Sequence, residues 1–287
     1  MRIKRRLTVV FALAATAALA AVGVAQAIDA SSTATLAVSP TNAGAGKQVK
    51  LTVHTHTNYT GAGTKTQRAR LYFDKNITFK TTAMPTCPTA SVSGNITMKA
   101  AMTACSTKLV GTGTAQANAV VPGDVKGCVL AFNATDASAA AGNQPGILLF
   151  TRLNLVGPMT CTNAATNTSG NASILLQAPL ATNPASTTPG GALPAAYYQG
   201  GKWLDFNNIP QTLPLRDFNV QTGKGAPQTS LTGTKGDFIK AKCTSRPAAL
   251  PTIPAAPAKK WVMRTVFKYS TGSPTEQAVN YKTGACT

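Results

Sequence analysis

His54 and His56 are the only histidines in the chain, and they stand one residue apart. On an extended strand that spacing puts both rings on one face, from which a β-sheet can chelate a transition metal if a third His, Cys or carboxylate joins them. Carboxylates are scarce, with eight Asp and Glu in 287 residues. Asp74, Asp124, Asp136, Asp205, Asp217, Asp237 and Glu276 stand singly, whereas hydrolysis of a glycosidic bond needs two carboxyl groups at a set separation. No GxSxG elbow occurs, and with no further histidine a Ser or Cys triad could assemble only around the one HxH strand. Residues 43–48, AGAGKQ, superficially resemble a phosphate-binding loop but lack the first Gly, carry Gln48 where Ser or Thr would hold magnesium, and run into a strand. The expectation is therefore a non-enzymatic protein with no catalytic residue, no metal and no cofactor. The competing reading is an extracellular hydrolase or carbohydrate-binding module acting on wall polysaccharide, using groups that folding brings together.

Two further sets of residues could make a ligand surface. Tyr197, Tyr198 and Trp203 are the densest aromatics in a chain that is 6% aromatic. Exposed on a loop they would stack on sugar rings; buried, they would anchor the loop to the core. The second set is basic. The whole chain carries a formal charge of +19, and without residues 1–27 it carries +15, of which +8 falls in residues 202–287. Lys259, Lys260, Arg264 and Lys268 lie there. Such a field favours polyanions, outside a cell an anionic cell-wall polymer or polysaccharide. Beyond residue 27 Lys outnumbers Arg 17 to 6, and Lys lacks the planar fork that reads phosphate and bases, so no specific nucleic-acid binding is expected.

These groups are carried by an exported chain. Four basic residues within the first six precede an apolar run at residues 7–24, and Ala25-Gln26-Ala27 supplies small residues at the positions a signal peptidase reads. Cleavage after Ala27 is expected, leaving residues 28–287 without a membrane span, secreted or associated with the cell envelope. Six cysteines follow, Cys87, Cys105, Cys128, Cys161, Cys243 and Cys286, with no CxxC among them. In an exported chain an even count reads as three disulfides. Fifteen connectivities are open; the expected one joins sequential neighbours, because each such pair brackets a short region that reads as a loop or meander.

Elements that would position these groups are strands. Val49, Leu51, Val53 and Thr55 alternate with Lys50, Thr52, His54 and His56, the pattern of a half-buried strand. Apolar runs at 70–73, 129–132, 146–150 and 173–176 have the length of buried strands. Trp261, Met263, Thr265, Phe267 and Tyr269 alternate with Val262, Arg264, Val266 and Lys268, and a Gly/Ser/Pro turn at 270–274 leads into residues 276–281, a hairpin. Nothing reads as a long amphipathic helix. The fold class expected is all-β, an antiparallel β-sandwich, as one large sandwich or two packed ones with a boundary near residues 136–143. A composition that is 44% hydrophobic also admits a lipid pocket, which would require an apolar cavity open to solvent.

Three stretches resemble a group of exported actinobacterial proteins. They are residues 38–53 (VSPTNAGAGKQVKLTV); residues 72–79 (YFDKNITF) continuing through Met84-Pro85-Thr86-Cys87, Cys105 and the Gly111-Thr112-Gly113 run; and Cys243 followed by Lys260-Trp261, the 267–274 hairpin and Cys286. The resemblance covers about half of the chain beyond residue 27, with Phe73-Asp74-Lys75 departing from the Leu-Pro-Lys more usual there. It implies an immunoglobulin-like or related β-sandwich with Cys87 bonded to Cys105, and no activity.

Overall fold

The computed structural model describes residues 30–42, 46–60, 64–118, 124–136, 144–155, 159–183, 187–188, 191–193, 195–212, 214–227, 233–244, 260–271, 276–282 and 286. Residues 1–27, where an export signal is expected, and Lys259 lie outside the described residues. In chain order the first strands are β1 (Ala30–Ser39), β2 (Lys47–Gln48), β3 (Lys50–Tyr59), β4 (Thr66–Phe73) and β5 (Ile77–Phe79). Helix α1 (Met98–Cys105) precedes β6 (Leu109–Asn118), β7 (Asp124–Asp136), β8 (Gln144–Asn154) and β9 (Ala172–Thr182). Then come β10 (Thr187–Thr188), β11 (Gly191–Ala192), the single turn α2 (Ala195–Tyr198), β12 (Lys202–Phe206) and β13 (Leu215–Gly223). Last are β14 (Ile239–Ala241), β15 (Val262–Tyr269) and β16 (Glu276–Lys282).

Eleven of these strands are hydrogen-bonded in one antiparallel order, β1-β3-β13-β6-β7-β8-β9-β12-β4-β15-β16. The antiparallel all-β expectation holds, but hydrogen bonding makes one continuous sheet where a sandwich has two. The shortest link in this order is the β9–β12 ladder of three residue pairs. The residues 137–143 lie outside the described set, yet their flanks pair with each other, Asp136 opposite Gln144, within this sheet.

The sheet wraps until its two edges meet. Ser32 of β1 donates its backbone N–H to Gln277 Oε1 of β16 at 2.8 Å. The Tyr269 hydroxyl donates to the same oxygen at 2.8 Å and sits 2.6 Å from Ser32 Oγ, which in turn lies 2.8 Å from Thr57 Oγ1. Side chains thus satisfy polar groups at a seam where no backbone ladder is formed, as buried polar groups require. Burial pushes the Tyr269 phenol up to about 12, against the Ser32 hydrogen bond, which pulls it down. The fold therefore favours the neutral phenol. Its contribution is complete below pH 10, where the unfolded tyrosine is also neutral, and is lost as pH rises towards 12, by roughly 2 kcal/mol at the upper end. Urea melts from pH 9 to 12 are expected to show a steeper loss of stability for the parent than for Tyr269→Phe; parallel curves would contradict this account of the seam.

Inside the wrapped sheet lies the main core, with Leu36, Leu51, Leu71, Phe73, Leu149, Leu180, Leu204, Val220 and Met263 facing one another. The runs at 129–132 and 146–150 do not alternate, because their outward residues are buried as well. Leu130, Phe132, Leu148 and Phe150 point outward under a cover formed by Val92 and by Met98 and Ala101 of α1. Thr97 starts that helix by accepting from the Ala100 N–H at 3.1 Å. Cys87–Cys105 and Cys128–Cys161 lie in this outer cluster, and Cys243–Cys286 ties residues just after β14 to those beyond β16. All three pairs join sequential neighbours, as expected.

Candidate functional site

The HxH pair gains its third group from β13. Asp217 faces His56 across the β3–β13 ladder, and its Oδ2 lies 3.0 Å from His54 Nε2 and 3.1 Å from His56 Nδ1. Both rings therefore hydrogen-bond to a single carboxylate oxygen instead of opening towards a common point. Among the described residues no group of three or more His, Cys, Asp or Glu side chains is arranged to hold a metal ion.

The other described carboxylates with placed side chains are equally engaged. Asp74 is fully buried and accepts from the backbone N–H groups of Asn76 and Val262. Asp205 takes a two-pronged grip from Arg68, through Nε at 2.7 Å and through Nη2. This carboxylate, by its hydrogen bond, holds the Arg68 guanidinium above its usual value. Glu276 accepts from Arg70 Nη2 at 2.7 Å. Asp237 is hydrogen-bonded by Gln48 Nε2 and pairs with Lys240 at 3.2 Å, and these two, Gln48 first, pull its carboxyl below the usual range. Each of these carboxylates neutralises or caps something.

The aromatic set is structural. Tyr197 and Tyr198 are each 1% exposed, packed with Val262 and Val266 over the outer face of β15. Asn183 Nδ2 holds the segment down by donating to the carbonyls of Phe73 and Tyr198 at 3.1 and 2.9 Å, and Lys75 N–H donates to Tyr197 at 2.7 Å. Trp203 stacks on Tyr72, rings 5.2 Å apart and parallel within 1°. As a ligand platform this set is corrected: Tyr197 and Tyr198 are buried and Trp203 gives a face to Tyr72, so the second alternative, an anchor for the loop, is what the packing gives.

The basic set divides. Arg264 is 0% exposed, opposite Tyr72 on the outer face beneath this cover, and burial pushes its guanidinium below the usual value while the phenols of Tyr198 and Tyr72 oppose the shift. It belongs to the packing and cannot present a charge to a ligand, which corrects its place in the expected surface. Lys268 is exposed and Lys260 half-buried.

A different basic site is assembled from three separated parts of the chain. Ser39 ends β1 and Pro40 follows it, Lys47 and Gln48 form β2, Lys50 begins β3, and Lys224 and Gly225 follow β13; together they line an open cleft of about 620 Å³. The sheet sets their places: Lys50 lies between Ser39 on one side and Gly223 on the other. Gly223, at φ +89°, makes the turn that brings the Lys224 N–H to Val49 O at 3.1 Å, and a Cβ there would come within 2.3 Å of that same oxygen. Lys47, Lys50 and Lys224 make no ion pair among the described residues, while the neighbouring Asp237 is taken by Gln48 and Lys240. The local field in the cleft is therefore positive. Lys47 and Gln48, at the end of the run rejected as a phosphate loop, line it beside residues from β1, β3 and the chain after β13, so no local motif marks the site.

The fold and site define a disulfide-stapled antiparallel β protein with a cationic cleft. No protein-family model matches the chain, and no curated protein matches it. Among the described residues no helix is long and apolar enough to cross a membrane. Three disulfides accord with an oxidising, extracellular environment.

Proposed function

We propose that this is a secreted or envelope-associated, non-enzymatic binding protein that holds an anionic polymer through the cleft of Lys47, Lys50 and Lys224. The carrying observation is that three lysines with no carboxylate partner among the described residues border one concave surface, where low-dielectric walls and like charge raise the local concentration of polyanion. The engagement of Asp74, Asp205, Asp217, Asp237 and Glu276 by neighbouring donors favours binding over hydrolysis. The resemblance to exported actinobacterial proteins and the signal-like N-terminus support the location.

The test is retention on phosphocellulose and binding of long-chain polyphosphate by the disulfide-bonded chain. Lys47→Gln/Lys50→Gln/Lys224→Gln is expected to weaken polyphosphate binding about tenfold at low salt and to flatten its salt dependence. Replacing three exposed lysines elsewhere, Lys75, Lys99 and Lys126, removes the same charge. Equal losses in the two triple variants would show that net charge alone does the binding and would defeat the proposal.

A further inference from the structure

Thr112 and Thr114 of β6 stand opposite Gln221 and Asn219 of β13 on one side, and opposite Leu130 and Cys128 of β7 on the other. All six line a pocket of about 200 Å³ on the outer face of the sheet, apart from the lysine cleft. Three neighbouring strands thus present carboxamides, hydroxyls and apolar groups in adjacent rows. Met98 at the start of α1, Ala164 and Pro227 add to the lining, and the Cys128–Cys161 disulfide is part of the wall. The Thr112 hydroxyl fixes the rim by donating to the Pro227 carbonyl at 2.6 Å. Solvent reaches the pocket at Thr114, which is exposed.

The carboxamides are not used by the fold. Among the described residues, Asn219 Oδ1 is buried yet accepts no hydrogen bond, and no hydrogen bond engages the Gln221 carboxamide. A buried acceptor in that state costs stability, which a bound donor restores. The described lining carries no charge, so nothing in it would hold a phosphate, a carboxylate or an ammonium group. It also carries no aromatic ring on which a base could stack. A purely apolar molecule would leave the carboxamides and hydroxyls unpaired beneath it. The chemistry that fits is a compact, uncharged molecule with hydroxyls on its edge and C–H groups on a face.

We infer that the pocket binds one neutral hexopyranose ring, a site separate from the lysine cleft and independent of the polyanion reading. A carboxamide offers a donor and an acceptor side by side, which matches a pair of neighbouring hydroxyls, each of them both donor and acceptor. The C–H face of the ring then lies on Met98, Leu130 and Ala164, each no more than 2% exposed. Opposite residues on paired strands stand about 5 Å apart, and next-but-one residues along a strand about 7 Å, so the array of two threonines and two carboxamides has the dimensions of a single ring. The volume agrees, since about 200 Å³ would take roughly seven waters at ~30 Å³ each, room for one sugar ring and not for two.

The probes are the methyl glycosides of glucose, galactose, mannose and N-acetylglucosamine, titrated into the isotope-labelled, disulfide-bonded chain and followed by NMR. Backbone resonances of residues 112–114 and 219–221 are expected to shift and saturate with at least one of them in the millimolar range, as suits a ligand of that size. With no charge in the lining, the affinity is expected to be the same at low and high salt. Asn219→Leu keeps the shape of the side chain and removes the orphaned oxygen. It is expected to weaken that binding roughly tenfold while the melting temperature stays unchanged or rises. Gln221→Leu is the second variant should Asn219→Leu not fold, and Thr35→Val, exposed on β1, is the control expected to bind as the parent does. Competition by the free monosaccharide and by an unbranched polysaccharide of the same sugar separates a free sugar from one carried on a polymer. Failure of all four glycosides to shift these resonances, or equal binding by the parent and the carboxamide variants, would overturn the proposal. Lys47→Gln/Lys50→Gln/Lys224→Gln is expected to bind the glycoside as the parent does, so the two sites succeed or fail separately.

Discussion

Gly113→Val is expected to lower stability by at least about 3 kcal/mol, enough to shift the melting temperature by roughly 10 °C or to abolish folding. The cause is the approach of β13 to β6. A Cβ at Gly113 would lie 2.0 Å from the Asn219 carbonyl oxygen and 2.8 Å from Val220 Cα, and at Gly111 it would lie 2.5 Å from Gln221 O. These are backbone atoms, so no rotamer change relieves the clash; the two strands must part and break the ladder that runs from Gly111–Thr222 to Ala117–Leu215. Gly94→Asn provides the contrast. Gly94 has a φ of +79° with nothing within 4 Å of an added Cβ, and Asn tolerates that region, so its loss is expected to stay under about 1 kcal/mol. Thermal melts of the two variants decide between them: comparable small losses would mean that the β6–β13 spacing is soft. The Gly-x-Gly run thus has a mechanical reason in this chain, a sheet coiled too tightly for a side chain.

Cys243→Ser/Cys286→Ser is expected to cost roughly 4 kcal/mol, the entropy that a loop of this length restores to the unfolded chain. Its separation of 43 residues is the longest of the three, against 33 for Cys128–Cys161 and 18 for Cys87–Cys105. On that model the shortest loop is worth about 3 kcal/mol, so urea midpoints of the three double variants should fall in the order of loop length. The native state adds a second reason for the first place. Cys286 is 3% exposed in the main core and secures the chain beyond β16, the strand whose Gln277 makes the seam with β1. An unchanged midpoint for this variant would show that the edge closes without it; the reverse order of midpoints would mean that native contacts, not chain entropy, set the contribution.

How much of this was legible beforehand differs from residue to residue. The strand at 49–57 could be read with its faces, since Leu51 and Val53 are buried inside and His54 and His56 lie on the outer face. The hairpin of β15 and β16 and the three disulfides could be read too. Strand β1 was not, although Ala34, Leu36 and Val38 alternate with exposed neighbours there; its small polar residues look like the trailing end of a leader. Helix α1 was missed because eight residues with three buried positions give little periodicity. Arg264 read as surface charge because it alternates with apolar residues on a strand, and that alternation is correct; it fails as a guide because a remote segment, 195–201, covers the outward face.

The chain's own order of residues was sufficient for local properties: strand rather than helix, since alternation and turn residues act within a few positions; paired cysteines in an oxidising setting; and a strong positive charge, which is a simple sum. Only the tertiary structure decided what lies between distant residues. Asp217 meets His54 and His56 across more than 160 positions, three lysines from separate strand ends border one cleft, and eleven strands wrap until Ser32 of β1 meets Gln277 of β16. The reason is that register and closure depend on which strands become neighbours. A strand's pattern reports which face is apolar, but it carries no information about what will stand opposite that face.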